Sequence, residues 1–549
     1  MTYTLPLQQF AERLRQHPER VWLHQPVEQR WQTLTWADVD DQARRIATGL
    51  QAQGWEPGSR IAILSKNCAQ WFILDLAIMM AGMVSVPIYA TAGRKTIAYC
   101  LQHSACKAVF VGKLDSTAAA QEAIGAEVMR IALPYPTVEA TQHWADWLQR
   151  YAPLQQIAHP QSADTMTICY TSGSTGVPKG VVLSYLNIAS SAQCTVNRSD
   201  VRPQDRMLSY LPLAHITERA VVEMVSIWNG VEVYFVESME TFAADLRHAR
   251  PTGFVSVPRL WTIFQAQILQ GIPNATLQRL LRIPLLNKLV ARRIRKAMGI
   301  DKARRFGSGT APISPAVLEW FQRIGVPIGE GWGMTETAGL ACGNVPFQAR
   351  HLGTIGLPVD CVEMRLGEHG ELLVRGDSVF KEYYLNPEAT AAAFSDGWFH
   401  TGDRAIALED GAWKIVGRLK EQFKTAKGKY VAPVPIESLV ASDPLVEQVC
   451  VMGSGRKQPV AFVVLNNSAG SDREAIRQRL NGLLGQVNSQ LESHECLDHI
   501  VVCADGWSVE NELLTPTMKL KRDQIETRYA RLLEPLAGSD TILWEDGIT

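Results

Sequence analysis

An apolar run from Thr165 to Cys169 leads into Tyr170-Thr-Ser-Gly-Ser-Thr-Gly-Val-Pro-Lys-Gly180, after which a second strand-like run begins. Hydroxyls, three glycines and a lysine between two strands constrain this region to an anion-holding loop on a sheet. Glycine lets backbone N–H groups approach an anion at positive φ, hydroxyls donate to phosphate oxygens or ligate a cation, and Lys179 adds a point charge. The order differs from the nucleoside-triphosphatase loop, in which Gly-Lys is followed by Ser or Thr. Here Lys179 follows Pro178 and precedes Gly180. A plain Ser/Gly surface turn is the ordinary alternative, and the density of donors between two apolar runs speaks against it.

A chain of 549 residues exceeds one ordinary core and implies two or more domains. Strand-like runs alternate with helical patterns to about residue 400. The pattern predicts a strand over Arg60–Leu64, a helix over Ala69–Met80, and strands over Val84–Tyr89 and Ala108–Val111. This rhythm indicates an α/β domain with mostly covered sheets. The stretch from Trp71 to Ala90 approaches the length of a membrane span, but it contains Asp75 and is interrupted by Gly82 and Pro87. A buried helix followed by a buried strand is expected instead. Near residue 417 the texture changes to a charged segment, Arg418 to Lys429. Short strands then follow at Gln448–Met452 and Val460–Leu465, with a helix from about Arg473 to Leu491 and a strand over His499–Cys503, a small α+β domain.

The formal charge of −1 supplies no field for nucleic acid. Ten cysteines without a Cys-x-x-Cys pair, and an opening Met1-Thr-Tyr-Thr without an apolar leader, point to a reducing cytoplasm.

Four further segments carry chemistry. In Gly329-Glu-Gly-Trp-Gly-Met-Thr-Glu-Thr337, glycines on both sides of Trp332 leave an aromatic face accessible to a planar base, although an isolated Trp is more often core. Gly397-Trp-Phe-His-Thr-Gly-Asp403 ends in a carboxylate that can accept from two vicinal hydroxyls, or is a turn-forming Asp. The other two are Gly417-Arg-Leu-Lys-Glu421, continuing to Lys427-Gly-Lys429, and Leu514-Thr-Pro-Thr-Met-Lys-Leu-Lys-Arg522. A lysine near a C-terminus is ordinarily a solvated charge. In order and over nearly the whole chain, the five segments resemble the AMP-forming adenylating enzymes, which include acyl-CoA synthetases, luciferases and peptide-synthetase adenylation domains.

That resemblance implies an α/β fold with a large multi-subdomain N-terminal adenylate-forming domain (1–417), a hinge (418–424) at Lys420, and a small mobile α+β C-terminal domain (425–549). It implies ATP, Mg²⁺ and coenzyme A. Thr171, Ser172, Gly173, Ser174, Thr175, Gly176 and Lys179 would cradle the β- and γ-phosphates, and Thr171 and Glu336 would hold Mg²⁺. Thr335 would donate to the α-phosphate, Trp332 between Gly331 and Gly333 would stack on adenine, and Gly309 would border the nucleotide. Asp403, with Arg418 nearby, would take the ribose hydroxyls. Lys519 would neutralise charge in the adenylation step, with Lys521 the alternative in a shifted register. Gly428 would border the pantetheine tunnel, and His215 would lie beside the acyl carboxylate or be a core histidine.

Val86-Pro-Ile-Tyr-Ala-Thr91, Leu211-Pro-Leu-Ala-His-Ile-Thr-Glu-Arg219 and Phe423-Lys-Thr-Ala-Lys-Gly-Lys-Tyr-Val-Ala-Pro433 look like the long-chain fatty acyl-CoA synthetase branch. A carrier-protein thiol as acceptor, or a nucleotide-binding protein without turnover, are the other readings. Between Arg279 and Arg305 stand ten Lys/Arg and one acid, Asp301, interleaved with apolar residues. Such a stretch attracts anionic lipid or the phosphates of coenzyme A, or is a solvated basic face. Pro284 and Gly299 divide it.

Overall fold

The structure is a computed structural model that describes residues 3–135, 137–171, 177–466, 470, 472–509, 511–515, 519–533 and 540–547. Its centre is the apolar run seen in the sequence. Ala69–Met80 is a helix in which every residue but Gln70 is buried, and it leads to the fully buried strand Val84–Ile88. No described helix is long and apolar enough to cross a membrane. The strand Val84–Ile88 lies inside an eight-stranded sheet. On one side it pairs in parallel with Arg60–Ser65 and, through it, with Ala108–Gly112. On the other it pairs with Thr165–Thr171, whose antiparallel neighbour is Lys179–Ser184. The helix Tyr185–Ser199 starts directly from that last strand because Ser184 and Asn187 cap each other's backbone N–H groups.

A second sheet of five strands runs in the order Gly253–Ser256, Arg305–Ser308, Ile328–Met334, Gly339–Gly343 and Leu357–Pro358, the first three parallel. A third, antiparallel sheet carries Trp398–Ala407 beside Trp413–Arg418. Beyond it, Phe423 already belongs to a different core with Val431, Ile436, Val463 and Ile500. The chain thus leaves one core and enters another between positions 418 and 423. The second core is packed on a four-stranded sheet, Val446–Met452, Val460–Leu465, His499–Val502 and Ile542–Trp544.

Two buried polar clusters fix the segment 209–224 between the sheets. Arg219, on the π-helical turn Arg219–Met224, is 1% exposed. Its Nη2 donates to Asp75 Oδ2 at 2.6 Å and to the Ser85 hydroxyl at 3.3 Å, and its Nη1 donates to the Thr167 hydroxyl at 2.8 Å. Glu223 lies 3.5 Å from Nε, and the Trp71 ring lies 5.4 Å from the guanidinium. Burial and, after it, the neighbouring Asp75 carboxylate hold Glu223 well above the usual carboxylate range. In the second cluster Glu218 Oε1 accepts from the Ser209 hydroxyl and the Tyr210 N–H, each at 2.9 Å, and from the Asn67 amide at 3.3 Å. Asn67 also donates to the Leu211 carbonyl and accepts from the Leu213 N–H.

Leaving one partner of a buried ion pair alone costs about 3–5 kcal/mol, whereas replacing both by apolar residues is close to neutral. Asp75→Ala is therefore expected to lower stability by about 3–5 kcal/mol, and Asp75→Leu with Arg219→Met by much less, as read from urea midpoints. Burial pushes the Glu218 carboxyl up to about 8 from 4.5. The folded state then binds that proton more tightly than the unfolded chain, so this group removes stability as pH rises from 4.5 to about 8. Glu218→Gln keeps an acceptor and cannot ionise. Its stability relative to the parent should climb across that window and level off above it, and a margin independent of pH would refute the assignment.

Candidate active site

The site is assembled where three sheets and the C-terminal domain meet. Asp403 and Arg418 are direct partners on neighbouring antiparallel strands, which sets Arg418 Nε 3.0 Å from Asp403 Oδ1. The other oxygen, Oδ2, accepts from the indole N–H of Trp332 at 2.8 Å. Burial raises the Asp403 pKa, while Arg418, Trp332 and Lys519 act against the shift. Each carboxylate oxygen can accept more than one hydrogen bond, so ribose hydroxyls can be received alongside these two partners.

Trp332 is half-buried with its edge pinned in this way. The glycines beside it answer to sterics: a Cβ on Gly333 would stand 1.8 Å from the Gly339 carbonyl oxygen, and one on Gly331 would press on Leu340 at 2.9 Å. Gly309 follows the strand next door, and a Cβ there would meet the Gly331 carbonyl oxygen at 3.2 Å. Backbone therefore approaches backbone at the carboxyl ends of parallel strands, where open α/β sheets bind ligands.

The phosphate loop enters from the central sheet. Thr171 and Lys179 face each other in antiparallel register at its base; Ser172, Gly173, Ser174, Thr175 and Gly176 lie outside the described residues. The Lys179 ammonium stands 4.9 Å from the centre of the Tyr383 ring, and the Tyr383 hydroxyl donates to Glu336 Oε1 at 2.9 Å. Glu336 and Thr335 are buried on a short 3₁₀ turn, Thr335–Thr337. The Thr171 hydroxyl and the Glu336 carboxylate are oxygen donors, the set that suits a hard cation arriving on nucleotide phosphates rather than in an all-protein cage. No cluster of three or more His, Cys, Asp or Glu suited to a metal occurs among the described residues.

Lys519 comes from the C-terminal domain. Leu514 and Leu520 bridge, Thr515 N–H donates to the Lys519 carbonyl at 2.8 Å, and Lys519 N–H donates to the Thr515 hydroxyl at 3.0 Å. The side chain is ringed by protein yet still reached by solvent, as befits a group standing in a cleft. Loss of water and the Arg418 charge hold its pKa below the ordinary lysine value, while Asp403, Glu336 and Glu421 pull it up. The ammonium is therefore within electrostatic reach of the proposed ribose and metal carboxylates together.

The Lys519 charge also acts on His215. Loss of water, and secondarily Lys519, push its pKa down to about 3. The Thr217 N–H donates to its Nδ1 at 3.1 Å, so the neutral ring carries its proton on Nε2 and offers a donor. Of the residues picked out in the sequence, Gly428 stands apart. It lies at φ +76° in the turn between Phe423–Lys424 and Tyr430–Val431, with the neighbouring backbone bonded to residues 455 and 456 of the same domain.

Tyr383 and Glu218 carry no motif signal in the sequence. Tyr383 reaches the site only because its strand pairs with Lys179–Ser184, with Tyr383 opposite Val181. Glu218 lies within Leu211–Arg219, between Thr217 and Arg219, and nothing local marks it as buried.

Residues 10–384 match the family described as AMP-binding enzyme, and residues 420–537 match the AMP-binding enzyme C-terminal domain. The long-chain-fatty-acid–CoA ligase FadD15 of Mycobacterium bovis is 30% identical over 96% of this chain and 96% of its own. The adenylation domain of a carboxylate reductase from Mycobacterium chelonae superposes with a TM-score of 0.83 at 23% identity, over 97% of this chain and 91% of that one. The anthranilate CoA ligase AuaEII in complex with anthranoyl-AMP gives 0.81 at 20% identity, over 97% and 98%. Matched along both its large N-terminal and its small C-terminal domain, the chain belongs to the AMP-binding enzyme family.

Proposed function

We propose that the protein is an ATP-dependent, AMP-forming ligase that joins a carboxylic acid, specifically a long-chain fatty acid, to coenzyme A. The observation that supports this reading is the cluster of Trp332, Asp403 and Arg418, on which the charge of Lys519 from the C-terminal domain also acts. A fixed cation is what two anions need before one attacks the other.

In the first half-reaction a carboxylate oxygen attacks the α-phosphorus of ATP, the bond to the bridging oxygen breaks, and pyrophosphate leaves. Thr171 and Lys179, with the loop between them, hold the departing phosphates. Thr335 donates to the α-phosphate, Trp332 stacks on adenine with Gly309 at its border, and Asp403 takes the ribose hydroxyls. His215 presents Nε2–H to the acid's carboxylate without adding a second positive charge, and Lys519 neutralises the carboxylate and α-phosphate as they meet. Glu336 and Thr171 would hold Mg²⁺, which when bound neutralises phosphate charge. In the second half-reaction a thiol sulfur attacks the acyl carbonyl and AMP departs, with Gly428 beside the incoming pantetheine after the C-terminal domain turns about Lys420. The long-chain assignment is supported by the name of the Mycobacterium bovis relative and by the three branch-like segments in the sequence.

Pyrophosphate release with Mg²⁺-ATP across fatty acids of increasing length, with and without coenzyme A, tests the whole. Release peaking with long chains and yielding acyl-CoA and AMP is expected. A peak with short or aromatic acids would overturn the substrate, and release without acyl-CoA would redirect the acceptor to a carrier-protein thiol. Lys519→Ala should reduce adenylation by about 10²–10³-fold and affect transfer from supplied acyl adenylate far less. Equal loss of both half-reactions would remove the lysine from its assigned step.

A further inference from the structure

The basic stretch noted in the sequence is not absorbed by this chemistry. It folds as two packed helices, Asn274–Leu281 and Leu286–Met298, joined by Arg282–Leu285. Some of its cations are occupied internally. Arg295 donates to the carbonyls of Ile324 and Gly325, and Arg304 and Arg305 clasp Asp205. These three are structural. Arg279, Arg282, Lys288, Arg292, Arg293 and Lys296 are exposed, and among the described residues no ion pair is recorded for any of them.

The same element breaks the usual pattern of apolar exposure. Single exposed hydrophobic residues are ordinary for a surface, but Ile283 (49% exposed), Leu285 (79%) and Leu289 (56%) fall together around the junction of the two helices. Leu285 also sits at φ +69° and ψ −44°, a conformation that a bulky side chain adopts at a cost. The opposite face of the second helix, Val290, Ala291, Ile294 and Met298, packs on the core. Leu289, Arg292, Arg293 and Lys296, at helical spacing, and Leu285 just before the helix are exposed, with the leucines at its N-terminal end and the cations following them.

We propose that this helical arm is a docking surface for an anionic lipid bilayer, with Ile283, Leu285 and Leu289 entering the headgroup boundary while Arg292, Arg293 and Lys296 pair with lipid phosphates. An exposed apolar patch beside unpaired cations is the arrangement of an interfacial anchor. A second copy of the chain is a poor occupant, because a two-fold contact sets the same patch against itself and would oppose cation to cation. The inference does not depend on the ligase reading, since it concerns binding without nucleotide or acid.

The test is co-sedimentation of the intact protein with phosphatidylcholine vesicles and with vesicles also containing phosphatidylglycerol. Association with the anionic vesicles only, weakening with salt, is expected. Arg292→Gln with Arg293→Gln should weaken it by about 30-fold, equivalent to about 1 kcal/mol per residue. Leu285→Asp with Leu289→Asp should weaken it at least as much although every cation remains. Unchanged thermal melting of these surface variants separates lost docking from lost folding. Failure of the parent protein to sediment, equal binding to neutral vesicles, or insensitivity to either pair of substitutions would overturn the proposal. So would concentration-dependent self-association abolished by the same substitutions.

Discussion

The architecture rests on the buried contact between Arg219 and Asp75. A guanidinium taken from water must find partners within the protein, and here the acceptors for its two terminal nitrogens come from a helix and two strands far apart in the sequence: Asp75, Ser85 and Thr167. That requirement ties the helix Ala69–Met80 and the central sheet to the turn that follows His215. It also explains an acid inside the most apolar stretch of the chain, where Asp75 is the counter-charge for an arginine supplied by another segment. The π-helical turn at Arg219–Met224 places Arg219 and Glu223 on the same charge cluster.

The site is consequently a junction rather than a property of one element. The central sheet contributes the ends of the phosphate loop, the five-stranded sheet contributes Trp332 and Glu336, the antiparallel sheet contributes Asp403 and Arg418, and the C-terminal domain contributes Lys519. Strand register does much of the placement. Asp403 opposite Arg418, Thr171 opposite Lys179 and Tyr383 opposite Val181 are each set by a ladder of backbone hydrogen bonds, which leaves the side chains little freedom to rearrange. Arg259 pairs with Glu447 across the boundary, while Arg522 ties Glu421, just past the crossing from one core to the other, to Glu437 within the C-terminal domain.

Charge is used differently at the two ends of the large domain. Inside, cations are matched with acids and the excess carboxyl groups, Glu218 and Glu223, are raised in pKa by burial. On the arm at 274–298, exposed cations stand without acids of their own beside apolar side chains. A formal charge near zero for the whole chain conceals this separation, because counting residues sums over space.

The amino-acid sequence by itself determined the alternation of strands and helices, the change of texture near residue 417, and the chemically dense segments. These depend on local periodicity, on glycine and on runs of neighbouring side chains. The helix Ala69–Met80 and the strand Arg60–Ser65 lie within a residue of where periodicity put them. The tertiary structure alone decided which residues meet. The Trp332 bond to Asp403, the approach of Tyr383 to Glu336 and Lys179, the burial of Arg219, and the division of one basic stretch into structural and exposed cations all join positions distant along the chain. Such contacts follow from sheet order, register and the depth of each group below water, and none of these is a property of a local stretch of sequence.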